Sequence, residues 1–113
     1  MAKHDIVYLV GHSARHETHL KNIVSLAGMQ QDDGGKDVGI VLMQDGVIGT
    51  SKRGTVPEPI ANLITINIPV HVLAPDMKAR GIDPGEAING VDVIDYDDLV
   101  NILADSDRII SIL

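Results

Sequence analysis

Five short runs rich in β-branched residues limit how this chain can fold more than any other feature. Ile6-Val7-Tyr8-Leu9-Val10 is the first, and Val38-Gly39-Ile40-Val41-Leu42-Met43, Val70-His71-Val72-Leu73, Val91-Asp92-Val93-Ile94 and Arg108 to Leu113 follow. A strand with one wet face alternates apolar and polar residues. The first runs hardly alternate, which suits strands covered on both faces of a parallel sheet.

The segments between them suit helices. Ser13 can cap a helix starting near Ala14, with Glu17 in its first turn, where the helix dipole favours an anion. His16, Leu20, Ile23, Val24 and Ala27 then share one face, and Gly28 is the expected stop. Gln30 to Lys36 suits a solvated turn, and Gly49 to Pro59, with two glycines and two prolines, an extended loop. Ile60 to Ile66 suits a short helix. Pro75-Asp76 opens another that Gly81 closes, Asp83-Pro84 starts about one turn, and Asp95 caps a helix through Leu103. The alternation predicts an α/β fold, a three-layer α/β/α sandwich around a mainly parallel five-stranded sheet. With 113 residues, the expectation is one domain spanning 1–113.

Charge and composition narrow the function. Lys plus Arg is 9 against 16 Asp plus Glu, so the net charge is 9 − 16 = −7. Affinity for nucleic acid rests largely on neutralising phosphates, so direct nucleic-acid binding is not expected. With no Phe, no Trp and two Tyr, there is little to stack on bases. No run approaches membrane-spanning length and the N-terminus has no secretory pattern, so no membrane association and a cytoplasmic location are expected. Zero cysteines exclude a disulfide, a zinc thiolate, a thiol nucleophile or a persulfide on these residues.

Ligands and partners of parallel sheets meet the loops beyond the carboxyl ends of the strands. That rule selects His12, Ser13, Gln44, Asp45, Gly46, Lys52, Arg53 and Asp76 as residues facing a partner or ligand. His12, His16 and His19 have a spacing that lets three imidazoles approach one divalent metal. The alternative is that His12 lies in the loop, that His16 and His19 flank the apolar stripe, and that nothing binds. The second is the expectation, with no metal and no cofactor. Ser13 with His12 and Asp45 lacks the G-x-S-x-G elbow of a hydrolase, and capping suffices to explain it. Lys52-Arg53 could meet an anion, although most exposed basic pairs are simply solvated. Asp95, Asp97 and Asp98 are explained by the helix start they crowd.

Three segments in the same order carry a family resemblance. Val41-Leu42-Met43-Gln44-Asp45-Gly46-Val47 resembles the "L-L-x-[QE]-D-G-[VI]" segment of the DsrH/TusB branch of the DsrE/DsrF/DsrH sulfur-relay superfamily. Val72 to Gly81 is similar to "V-L-x-x-D-x-x-A-R-G", and Gly90 to Val100 continues the match. The resemblance implies a subunit that assembles with DsrE-like and DsrF-like homologues, typically as a hexamer of paired trimers, or with itself. It implies a part in passing persulfide sulfur, toward 2-thiouridine at the tRNA wobble position or in sulfur oxidation. Some members carry a relay cysteine in the first helix, where this chain reads Lys21-Asn22-Ile23-Val24-Ser25-Leu26. The expected role is therefore non-catalytic, in assembly and in shaping a partner's cysteine site, and this reading adds Arg80, through the matched Asp76 to Arg80 segment, to the partner-facing residues. The competing reading, motivated by the histidine trio, is a small-ligand or metal-binding oligomer that has lost the relay.

Overall fold

The computed structural model describes residues 4–14 and 17–113, with only the backbone of residues 17–19. Five strands form one sheet: β1 (Ile6–Val10), β2 (Val38–Leu42), β3 (Val70–Leu73), β4 (Val91–Ile94) and β5 (Arg108–Ile112). Their order is β4-β3-β2-β1-β5, and every neighbouring pair is parallel. The four helices are α1 (Glu17–Asp32), α2 (Glu58–Thr65), α3 (Ala74–Ala79) and α4 (Tyr96–Ala104). This is the expected α/β fold, with all of the sheet parallel rather than most of it.

Crossover handedness distributes the helices. From β1 to β4 the chain steps along the sheet in one direction, and from β4 to β5 it returns across the whole sheet. Parallel crossovers are right-handed, so the return must pass on the other face. Leu20, Ile23, Ala27, Ile60, Leu63 and Met77 accordingly pack with Tyr8, Val10, Ile40, Leu42 and Val72 on one face. Leu99 and Ile102 of α4 pack with Val7, Leu9, Val41 and Leu73 on the other. One nine-residue helix thus forms the second layer's cluster, which is the smaller of the two.

Helix ends depart from expectation where local signals are overridden. Gly28 does not stop α1, which runs on to Asp32. A Cβ at Gly28 would lie 3.7 Å from Ile66, so the glycine faces the end of α2, and the extra turn makes tertiary contacts. The Tyr8 hydroxyl donates to Gln30 Oε1 at 2.7 Å, and Gln31 Nε2 donates to the Ile66 carbonyl at 2.9 Å. Burial pushes the Tyr8 hydroxyl pKa up, with the Gln30 bond and the Arg108 charge opposing. The break falls at Gly35, whose φ of +61 suits glycine. Gln30 to Lys36 is therefore only partly the turn expected of it. Ala14, the expected start of this helix, is a buried turn residue, and the helix is described from Glu17; residues 15–16 and the side chains of 17–19 lie outside the description.

α2 starts at Glu58 rather than Ile60, with Pro57 at its N-cap and Pro59 in its first turn, where a missing N–H costs little. It ends in a Schellman turn: Asn67 (φ 62) donates to Ile64 and Ile68 donates to Leu63. Asp95 caps α4 as expected, and the cap is reciprocal: Asp98 N donates to Asp95 Oδ1 at 2.8 Å and Asp95 N to Asp98 Oδ2 at 3.2 Å.

β5 occupies a sheet edge, paired only with β1, and its Ile109 is 44% exposed and the adjoining Leu113 54%. All five residues of this strand are exposed or half-buried. Among the described residues no helix is long and apolar enough to cross a membrane.

Replacing Asp95 with alanine removes one half of the α4 cap, a loss of about 1 kcal/mol. Thermal denaturation of D95A should therefore show a midpoint lower by about 3–6 °C; an unchanged midpoint would mean that the cap does not hold the helix.

Candidate functional site

Loops leaving β1, β2 and β3 converge at the carboxyl edge of the sheet. Val10 O accepts from Met43 N at 3.0 Å, and Met43 leads into a 3-10 turn over Gln44–Val47. A Cβ at Gly46 would stand 2.3 Å from Val10 O and 3.5 Å from His12 O, so only glycine lets this turn lie against the end of β1. At Gly11 a Cβ would meet Gln44 Oε1 at 2.6 Å and the Leu113 side chain at 3.0 Å. The end of β1, the turn after β2 and the C-terminal residue are in close contact at these two glycines.

Gln44 is held in a left-handed conformation, φ 51, which is uncommon for a residue with a side chain. Its backbone N–H donates to Asp76 Oδ2 at 2.6 Å. Asp76 lies in the first turn of α3 and Arg80 just beyond its end. Arg80 Nε donates to Asp45 Oδ1 at 2.9 Å, and Arg80 Nη1 donates to the Asp76 carbonyl at 3.3 Å. Strained backbone persists where its surroundings over-determine it, and here a carboxylate and a guanidinium from one short helix do so. Gln44, Asp45, Gly46, Asp76 and Arg80 thus form one assembly, with Gly11 and the backbone of His12 against it.

Lys52 and Arg53 belong to a second group. Ser51 bridges Ala87, and Lys52 N donates to the Glu86 carbonyl at 2.8 Å. Arg53 forms a two-pronged ion pair with Glu86, through Nε to Oε2 and through Nη2 to Oε1 at 2.8 Å. The pairing raises the Arg53 pKa and lowers that of Glu86, mainly through the hydrogen bond between them. Arg53, Glu86, Asp83, Gly81 and Ile82 line an open cleft of about 430 Å³. Its cation is already neutralised by Glu86.

His12 is exposed and Ser13 half-buried on the loop after β1. His16 lies outside the described residues, as does the His19 side chain. Among the described residues no three metal-ligating side chains gather at one point.

Sequence reasoning missed a polar array on the other side of the molecule. His4 and His71 are buried with their Nε2 atoms 2.9 Å apart, and their Nδ1 atoms face Asp37 Oδ1 at 3.0 Å and Asp92 Oδ2 at 2.7 Å. The available signal was His71, a polar residue between two valines of a fully covered strand, which needs a partner.

Fold and site together define a parallel α/β protein whose strand-end loops are locked into an exposed, charged platform without a thiol. The family model for DsrH-like proteins matches residues 12–109. The chain belongs to the DsrH-like family. An uncharacterized protein of Methanopyrus kandleri, MK0008, is 32% identical over 83 residues, 67% of this chain and 68% of that protein. The crystal structure of Escherichia coli YchN superposes with a TM-score of 0.73 at 21% identity, covering 99% of this chain and 100% of YchN. BT1422, a conserved Bacteroides thetaiotaomicron protein of unknown function, gives 0.73 at 17% identity over 96% and 95%. At such identities these structures speak for the fold.

Gly46→Ala tests the close approach. A methyl group 2.3 Å from a backbone carbonyl forces the turn off β1, and overpacking of this kind costs about 1–3 kcal/mol. Urea unfolding should show that loss. Wild-type stability in G46A would mean that the turn can move away freely.

Proposed function

We propose that this chain is a non-catalytic subunit of a sulfur-relay complex, acting in assembly and in shaping the site of a cysteine carried by a partner. The observation that carries the reading is the strand-end platform of Gln44, Asp45, Asp76 and Arg80 in a family member that has no cysteine in its 113 residues. Persulfide transfer needs a thiolate that attacks a sulfane sulfur, and no other side chain both accepts and re-delivers that atom. The sulfur must therefore sit on a partner, a DsrE-like or DsrF-like subunit in the reading favoured here. The platform contributes fixed charge and shape beside it.

Apolar surface supports an assembly. Leu26 (45% exposed) stands out on α1, beside Ile110 and Ile112 at the open edge of β5. Tyr8, Ile23, Leu26, Ile110 and Ile112 line a shallow groove of about 230 Å³ between them. Contiguous apolar surface of this sort marks interaction sites. The proposed location is the cytoplasm, and the pathway served, tRNA thiolation or sulfur oxidation, follows from the partners.

Native mass spectrometry of the assembly from its source cell should find this chain with DsrE-like and DsrF-like subunits; a lone monomer alongside an intact complex of those subunits would overturn the reading. Incubated alone with a cysteine desulfurase and labelled cysteine, the chain should take up no label that a reductant removes. The Arg80–Asp45 pair is exposed, so Arg80→Ala should change stability by less than about 1 kcal/mol while weakening assembly. Unchanged assembly in R80A would take the platform out of the interface.

A further inference from the structure

The buried histidine pair contains a proton-counting problem. Residues alternate faces along a strand, so His71 shares the α4 face with Leu73, and Gly39 shares it with Val41. His4, just ahead of β1, crosses β2 to reach His71. A Cβ at Gly39 would stand 2.5 Å from the His4 ring, so the missing side chain is the slot through which the imidazole passes. His4 and His71 side chains are 1% and 4% exposed, while those of Asp37 and Asp92 are 59% and 61% exposed. The row Asp37–His4–His71–Asp92 therefore begins and ends in water and is dry in the middle.

Carboxylates only accept, so each Nδ1 must donate to its aspartate. With both Nδ1 atoms protonated, two neutral rings would present two lone pairs to each other across 2.9 Å. Two imidazolium rings would present two N–H groups. Only one proton between the Nε2 atoms makes that distance a hydrogen bond. We propose that His4 and His71 hold a single shared proton, and that this proton fastens the segment before β1 to β3.

Burial, the largest influence, pushes the His71 pKa below the ordinary imidazole value, against the Asp92 bond and charge, which raise it. Among the described residues, the charged groups facing the pair are Asp37 at the entry of β2 and Asp92 on β4, with Asp5 Oδ2 taking the Asp37 backbone N–H at 2.9 Å.

The sign of the pH dependence follows from the count. In the unfolded chain both rings titrate near pH 6.5. Below that pH the unfolded state binds two protons against one in the fold, so stability falls as pH falls. Above it the unfolded state binds none while the fold keeps one, so stability falls as pH rises until the shared proton leaves. The fastening is strongest near pH 6.5 and is released on either side. An ordinary buried neutral histidine gives a different curve, rising with pH to a plateau.

The test is the thermal midpoint of the full chain between pH 5 and 8, with long-range proton–nitrogen spectra of its histidines. The expected curve is bell-shaped, with slopes of about 4 °C per pH unit. The spectra at pH 6.5 should show both rings protonated at Nδ1 and one slowly exchanging proton coupled to both Nε2 atoms. His71→Gln should flatten the bell. Should that variant fail to fold, Asp92→Asn, altered at the exposed end, should move the maximum to lower pH by removing the charge that helps hold the proton. A plateau above pH 6.5 would overturn the proposal, as would two rings titrating independently. So would zinc or copper retained stoichiometrically between the Nε2 atoms after native purification.

Discussion

β1 is hydrogen-bonded on both sides, to β2 and to β5, and all five of its side chains are buried. The rest of the architecture depends on that position. A central parallel strand needs cover on both faces, and right-handed crossovers supply it unequally. α1 and α2 shield the face of Tyr8 and Val10, and the single return helix α4 shields that of Val7 and Leu9. Both polar assemblies lie at the ends of this strand. The platform closes on the carbonyl of Val10, and His4 stands two residues ahead of Ile6.

The two ends are built on the same economy of side chains. Gly46 gives way to a carbonyl oxygen at one end and Gly39 to an imidazole ring at the other. At Gly46 the turn after β2 lies against the end of β1, and at Gly39 the His4 ring passes over β2, each where a methyl would block the approach. Each approach is then held by aspartate: Asp76 grips the backbone of Gln44, while Asp37 and Asp92 orient the histidines. The difference is exposure. The platform's ion pair stands in water and suits recognition, whereas the imidazoles are enclosed and suit cohesion.

The strands were legible because their signal is local: uninterrupted apolar runs have few alternatives to a covered parallel sheet. The cap at Asp95 was legible for the same reason, since its partner Asp98 is three residues away. Gly28 misled because a glycine ends a helix only when nothing beyond it has a tertiary partner, and Gln30 and Gln31 have theirs on β1 and at the end of α2. In the site, position nominated Asp45 and Asp76 and the resemblance added Arg80, yet the pairing of Arg80 with Asp45 across 35 residues could not be read. The histidine contact spans 67 residues and left no pattern beyond one polar residue in an apolar run. The resemblance supplied the family, which composition and periodicity could not have done.

A chain with no tryptophan and two tyrosines has only two strong near-ultraviolet chromophores, and the fold has sorted them. Tyr8 is sealed beneath α1 with its hydroxyl tied to Gln30, whereas Tyr96 is 56% exposed at the start of α4, on the carboxyl side of the sheet. The emission of this protein is therefore the sum of an interior lamp and an exterior one. A collisional quencher reaches Tyr96 and leaves Tyr8 alight, so the chain carries built-in optical labels for its core and for the mouth of its strands.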